Sequence, residues 1–569
     1  MQHTHLPRSA TALLAVVALA SASAAQGQVD HVSVSSSGAL ANGASVGGAI
    51  SADGRFVVFE SLATNLVAGD TNARRDVFLR DRLFQTTECI SRAPNGDFGT
   101  GDSSVPVMSN DGRYIAYVST ASNLDPADTE NNSIDPAFAD VFLYDRSTQS
   151  TTLISKAVSG AQLAGSFDSV SISGDGSLVV FRGLANLATG LNSSFQLWGY
   201  HTQSGALERI DDPALNLDFV RYPSVSGDGR FVAFRGAALL SNSVRQVYVR
   251  DRLTGATTLA SILLNGAPAN SECRAPSISD DGRFVAFETF ATNDFPTPPG
   301  QPVYSRVYVR DLVAGATRLA SANAAGVANT NHCNTAVISP DGRRVAFYSN
   351  EFAFVPADPS SAGDALVRDL ATGALLSVAT TSTGEYPDGS SFVNDFRADG
   401  AAVLFSSTAV NLTSGDTNNL LDVFVKELTP LIPISYCTAQ SNTLGCTAQL
   451  SASGLPSATL PSAFTLQSQN LTNQRPATLF YGFAPNSLPF FGGTLCVASP
   501  LFRTPAQSTG GSASGTDCSG AFSFDFNALI RSGAAPLLTP GTVVYAQASY
   551  SQPSGGRVQS AALAFTILP

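Results

Sequence analysis

Two loops far apart in the chain carry nearly the same oxygen-rich spacing. NLVAGDTNARRDVF sets Asp70, Asn72 and Asp76 at positions 1, 3 and 7, and NLTSGDTNNLLDVF sets Asp416, Asn418 and Asp422 likewise. Hard oxygen donors at short alternating spacing are what Ca2+ needs, because the ion gathers about six to eight oxygens from a loop that curls around it. A stretched relative places Asp128 and Glu130 before Asp140. A second reading needs no ion: Asp and Asn side chains accept hydrogen bonds from backbone N–H groups two residues on and so fasten loops by themselves. A Ca2+ loop usually carries more carboxylates than these, which favours the turn and leaves Ca2+ as the sharper expectation.

Cys273 and Cys333 each stand eight residues before an Asp-Gly pair, with Glu272 preceding one and His332 the other. A disulfide between them is the expected state; separate thiols and a Cys/His/Glu metal site are the alternatives. Cys89, beside Ile90, reads as an unpaired core cysteine. Arg-Asp dipeptides recur at Arg80-Asp81, Arg250-Asp251, Arg310-Asp311 and Arg368-Asp369. A catalytic centre needs one special copy, whereas a turn-fastening contact is needed in every repeat, so these are assigned to structure. Gly43-Ala44-Ser45-Val46-Gly47 matches G-x-S-x-G, but that motif works on the strand-to-helix turn of an α/β-hydrolase sheet, which nothing around it resembles. Beyond the first 25 residues the histidines are His31, His201 and His332, scattered over different repeats, so no catalytic residue is named.

The elements that position these residues repeat. Asp-Gly turns at Asp53, Asp111, Asp175, Asp228, Asp281, Asp341 and Asp399 are spaced by 58, 64, 53, 53, 60 and 58 residues. Each is followed by a strand (FVVFES, YIAYVS, LVVFRG, FVAFRG, FVAFET, RVAFYS, AVLFSS) and, after a loop, by another (DVFLRD, DVFLYD, FQLWGY, QVYVRD, RVYVRD, DALVRD, DVFVKE). A period near 55 residues holding several short strands predicts a β-propeller in which one repeat builds one blade of strands a to d. The seventh repeat stops after strand c, and VDHVSVSSSGALANG from Val29 reads as a strand d with nothing before it. Pairing these fragments closes the ring, which makes seven blades the expectation and six the alternative. The a–b and c–d turns are short and uniform, while the b–c and d–a loops are long and variable, so the second face is the expected binding face.

The repeats resemble the TolB-like propeller family, with its S-x-D-G-[RK]-x-[IV]-A-F core and following [IV]-Y-V-x-D strand. SISDDGRFVAF with RVYVRD, and VISPDGRRVAF with DALVRD, match best, and the resemblance spans residues 29–430. The family's six blades become seven here, and the preceding α/β domain of TolB is absent. From residue 431 the period ends, and alternating strands between Gly, Pro and Ser turns predict a small β-sandwich to residue 569. That segment resembles a C-terminal module of secreted bacterial proteins, marked by Y-C-T-A, G-G-T-L-C and D-C-S-G-x-F-S-F-D-F. Its cysteines fall into neighbourly pairs, Cys437 with Cys446 and Cys496 with Cys518, although three connectivities are open.

Residues 1–25 read as a signal peptide: Arg8, the apolar ALLAVVALA of Ala12 to Ala20, then SASAAQ. That run is too short for a span of roughly 20 apolar residues. The chain carries 44 Asp and Glu against 32 Lys and Arg, a net charge of −12, which argues against nucleic acid. The expectation is an exported, all-β, monomeric protein, secreted, periplasmic or at the cell surface. It binds a protein or glycan ligand without catalysis, and takes no cofactor beyond Ca2+. The alternatives are a polysaccharide lyase or hydrolase acting at the axial channel, as in some TolB-like propellers, and a structural or attachment protein.

Overall fold

In the computed structural model the described residues are 29–129, 139–156, 167, 169–184, 195–215, 217–238, 244–295, 302–323, 326–351, 354–355, 362–371, 373–381, 385–428, 434–435, 437, 439–454, 456, 463–490, 493–539, 542–553 and 555–567. The expected signal segment, Glu130, Pro430 and Tyr436 lie outside them.

The Asp-Gly turn shows why each blade begins as it does. Ser51 Oγ donates to Asp53 Oδ1 at 2.6 Å, Asp53 Oδ1 accepts from Arg55 N, and Ser51 Oγ accepts from Phe56 N. The same set recurs at Ser109, Ser173, Ser226, Ser279 and Ser339. The glycine that follows has φ between +64° and +73° in all seven turns, a region L side chains avoid. From these turns the chain builds four-stranded antiparallel sheets in a nearly all-β propeller. Blade one, for example, pairs Ser45–Ile50, Phe56–Ser61, Asp76–Asp81 and Thr86–Cys89 in that order.

The final repeat supplies Ser391–Phe396, Ala402–Ser407 and Asp422–Glu427, and its fourth strand is Val29–His31. Val29, Asp30 and His31 pair with Lys426, Val425 and Phe424. The strand is shorter than the stretch VDHVSVSSSGALANG suggests, because the chain turns at Ser35, where Ser35 N donates to Ala39 O. Ser33 nevertheless occupies a repeat position. Its Oγ accepts from Val423 N and donates to Asp422 Oδ1, as Ser91 does with Val77 and Asp76 and Ser155 with Val141 and Asp140. Apolar side chains of blade one (Val57, Phe59, Phe78) and of the last repeat (Leu404, Val423, Val425) fill one core between the two sheets.

Beyond residue 434 a six-stranded sheet runs Ile434–Ser435, Arg557–Thr566, Val543–Ser551, Pro476–Gly482 and Phe502–Arg503, with Gln507–Ser508 also on Pro476–Gly482. A three-stranded sheet holds Gln449–Ser453, Thr465–Leu471 and Gly520–Asp525. Leu450, Leu466 and Phe522 of the second meet Leu479, Val544 and Phe565 of the first in one core. Within this region of expected strands, the strand Gly520–Asp525 ends at Asp525 and gives way to a helix over Phe526–Arg531, with the Asp525 carboxylate accepting from Ala528 N.

The disulfides join Cys437 to Cys496 and Cys446 to Cys518, so the neighbourly pairing is corrected. Gln449–Ser453 and Gly520–Asp525 both run antiparallel to the strand between them and therefore start at the same end. That brings Cys446 and Cys518, just ahead of each strand, together.

Removal of residues 26–40 deletes this outermost strand and bares the edge of Asp422–Glu427. The deletion variant is expected to melt many degrees lower and to associate, as sizing chromatography and thermal melts will show. A monomer with an unchanged melting temperature would contradict the closure.

Candidate functional site

The two ends of the propeller differ chemically. At the Asp-Gly end the same contact recurs: Arg55 with Asp81, Arg113 with Asp145, Arg230 with Asp251 and Arg283 with Asp311, at 2.7–2.9 Å. Hydrogen bonds from these arginines, outweighing a small burial cost, hold Asp145 and Asp311 down near pKa 2. The aspartate of each Arg-Asp dipeptide thus serves a turn. Arg80, Arg250 and Arg310 reach to the next strand, at Thr87, Thr257 and Thr317.

Around the axis at this end backbone amides link successive blades: Ala52 N to Asn110 O, Asn110 N to Gly174 O, Asp175 N to Gly227 O, Gly227 N to Asp280 O and Asp280 N to Pro340 O. A cavity of about 570 Å³ opens there, lined by Asn110, Asp111, Asp175, Asp228 and Asp280 among others. Asp280 accepts from Asn110 Nδ2 at 3.1 Å, and burial followed by the neighbouring carboxylates Asp281, Asp228 and Asp341 raises its pKa, against that hydrogen bond.

At the opposite end the fifth residue of strand b takes five different types over the seven repeats: Glu60, Val118, Arg182, Arg235, Glu288, Tyr348 and Ser406. Five of them reach the next blade. Glu60 accepts from Val105 N, Glu288 from Thr335 N and Ser406 Oγ from Gly47 N. Tyr348 stacks on Phe392, and Arg235 binds Glu272. The amides they meet lie where strand a is bulged, an extra residue that interrupts the two-residue alternation of buried positions.

The expected Ca2+ residues sit at this end. Asn72 Nδ2 donates to Asp76 Oδ2 while Asn72 Oδ1 accepts from Arg74 N. Asn418 Nδ2 donates likewise to Asp422 Oδ2 and to Ala41 O of blade one, and its Oδ1 accepts from Leu420 N. These are Asx-turn contacts. Burial, opposed by hydrogen bonds from Ser91 and Asn72, pushes Asp76 up to about 6. Asp70 Oδ1 is buried and has no donor among the described residues. Among those residues no three His, Cys, Asp or Glu side chains form a metal-sized group.

Cys273 and Cys333 are both free and buried, which corrects the expected disulfide. Each heads the innermost strand of its own blade and points into a different core, one with Phe287 and the other with Phe347. Burial raises both thiols to about 12. His332 bonds Ser305, not a metal partner. Cys89 is also free and buried.

No family model and no curated protein matches the sequence. Among solved structures the chain is similar to an oligogalacturonate lyase from Vibrio parahaemolyticus, at 14% identity and TM-score 0.41, covering 71% of this chain and 98% of that one. It is similar to TolB from Acinetobacter baumannii at 15% identity and TM-score 0.31, covering 66% and 82%. The β-propeller domain of the Trilobed protease from Pyrococcus furiosus gives 12%, 0.41, 68% and 95%. Nothing of those proteins' activities passes to this chain at such identities.

Asp395, on the inner strand of the last repeat, ties that blade to blade one: Oδ2 accepts from Ile50 N at 3.0 Å and Oδ1 from Phe396 N at 2.8 Å. The residue keeps partial exposure, yet its carboxyl is enclosed. Burial pushes it up to about 7 despite both hydrogen bonds. The folded state then binds a proton that the unfolded state releases near pH 4, so this group costs stability as pH rises from about 4 to about 7. Between pH 5 and pH 8 the melting temperature of Asp395→Asn is expected to gain several degrees relative to wild type. Parallel pH profiles would show the carboxyl titrating normally.

Proposed function

We propose that the chain is an exported, monomeric, seven-bladed propeller followed by a β-sandwich, and that it binds a protein or glycan ligand on its b–c/d–a face without catalysing a reaction. One observation carries this reading. Equivalent positions on the Asp-Gly face repeat one turn contact, whereas on the opposite face the fifth residue of strand b changes type between blades and the exposed bulge residues beside it are Val105 in blade two but Phe219 and Tyr222 in blade four. Blade-specific side chains on a repeated scaffold are what recognition of one ligand requires. Two disulfides fit a secreted or periplasmic setting, and no helix among the described residues is long and apolar enough to cross a membrane.

Glycan-array binding, combined with a turnover screen on the same polysaccharides, tests this. Binding without turnover is expected. Turnover abolished by Asp280→Asn or Asp395→Asn would establish the rival, a lyase or hydrolase acting at the axial channel.

Ca2+ at Asp70, Asn72, Asp76, Asp416, Asn418 and Asp422 belongs to the same proposal, supported by the unpartnered Asp70 oxygen. Calorimetric titration should show Ca2+ heats in wild type that the Asp70→Ala/Asp416→Ala variant loses. An equal, salt-sensitive response in both would leave these loops as solvated turns.

A further inference from the structure

The boundary between blades four and five departs from the repeat in charge and in backbone. In blade one the fifth residue of strand b and the residue before strand c form a balanced pair, Glu60 with Arg75 at 3.1 Å. At the same two positions blade four has Arg235 and Arg245. Both donate to Glu272, just before strand a of blade five, at 2.9 and 3.0 Å, and Arg274 donates to its other oxygen at 2.7 Å. Three guanidiniums therefore share one carboxylate. Arg221 pairs in register with Arg235, and Arg274 with Glu288, whose carboxylate accepts from Thr335 N and also attracts Arg274, so four guanidiniums face the two carboxylates Glu272 and Glu288. Arg235 is 8% exposed, whereas Arg245 and Arg274 are 37% and 44% exposed.

Strand a of blade four, Leu217–Val225, is bulged twice where those of blades two, five and six are bulged once. The bulges hold Phe219 and Tyr222 at φ +54° and +55°. Bulky residues occupy that region only when the surroundings force them, and such strain collects at binding sites. In blades two, five and six the bulge residue with positive φ is Val105, Ala275 or Thr335. In blade four both are aromatic and both are exposed, 49% for Phe219 and 39% for Tyr222. Arg245 lies 4.8 Å over the Phe219 ring and Arg235 4.9 Å over that of Tyr222.

We propose that Arg245 and Arg274, with Phe219 and Tyr222, form the binding site for a carboxylate-bearing glycan. This rests on the ligand-binding reading of the b–c/d–a face and narrows it. Guanidinium forks match carboxylates with paired hydrogen bonds, and exposed aromatic faces offer apolar area to the C–H face of a sugar ring. An acidic peptide would use the guanidiniums but has no general need for two adjacent aromatic platforms. Glu272 holds the arginines in place and keeps them from repelling one another until the ligand arrives.

Calorimetry with alginate oligosaccharides, cello-oligosaccharides and poly-L-glutamate tests the assignment on the full chain. Wild type should bind alginate and not the neutral sugar. Arg245→Ala/Arg274→Ala and Phe219→Ala/Tyr222→Ala should each weaken binding at least tenfold with unchanged melting temperature, while Arg75→Ala in blade one has no effect. If either double variant unfolds, Arg245→Gln and Tyr222→Leu replace it. Absence of alginate binding, equal binding of poly-L-glutamate, or indifference to both double variants overturns the site. Binding that survives them but is lost on changes elsewhere on this face spares the broader reading, which falls only if no ligand of the array binds.

Discussion

An open sheet edge presents a row of backbone N–H and C=O groups that must find partners or cost free energy. The last repeat ends on strand c, and the described chain begins on a strand that pairs with its edge. That single pairing ties the two ends of the propeller together and decides who neighbours whom. The Asn418 amide donates to Ala41 O across the junction, and Asp395 accepts from Ile50 N. Ser33 shows that the match is specific, since its hydroxyl repeats atom for atom the role of Ser91 and Ser155. A chance edge contact would satisfy amides without reproducing that side-chain bond.

Repetition then divides the molecule into a face that holds and a face that varies. In four of the Asp-Gly turns the Ser, the Asp and the following Arg are all spent on backbone caps and on ion pairs to the end of strand c, so they cannot change without loosening a blade. No such demand acts at the other end. There the fifth residue of strand b meets the next blade by whatever chemistry it has: carboxylate, ring, hydroxyl or guanidinium. Blade-to-blade adhesion is preserved while the chemistry of each junction differs.

Much of this was legible in the sequence because the turn is local. S-x-D-G announces itself through residues two to five apart, and the missing and surplus strands could be counted. The misreadings concern contacts between distant residues. Cys273 and Cys333 hold equivalent places, yet equivalence in a propeller means the same position in two different cores, which keeps them apart. Cys446 and Cys518 are distant in sequence but start parallel strands on either side of a third. The inner-strand bulges were missed for another reason: each extra residue stretches the buried spacing from two to three, as at Leu217, Val220 and Pro223, which breaks the alternation a strand is read by, and positive φ at Phe219 or Tyr222 has no residue signature as Gly does.

The charge balance at the boundary of blades four and five has an energetic logic of its own. A buried guanidinium is tolerated when a carboxylate meets it, and breaking such a pair typically costs about 3–5 kcal/mol. Glu272 provides that partner for Arg235, and a single carboxylate would suffice for it. Burial, outweighed by the hydrogen bonds from Arg274 and Arg245, leaves the Glu272 pKa below its ordinary value, so this carboxylate stays charged. Yet the fold adds Arg245 and Arg274 to the same group, in a chain whose net charge is −12. Packing does not demand the excess, because blade one closes the corresponding gap with a one-to-one pair. Stability alone would have favoured that neutral arrangement. A cluster left with surplus positive charge beside two strained, exposed aromatic rings is better adapted to meeting an anion than to holding blades together.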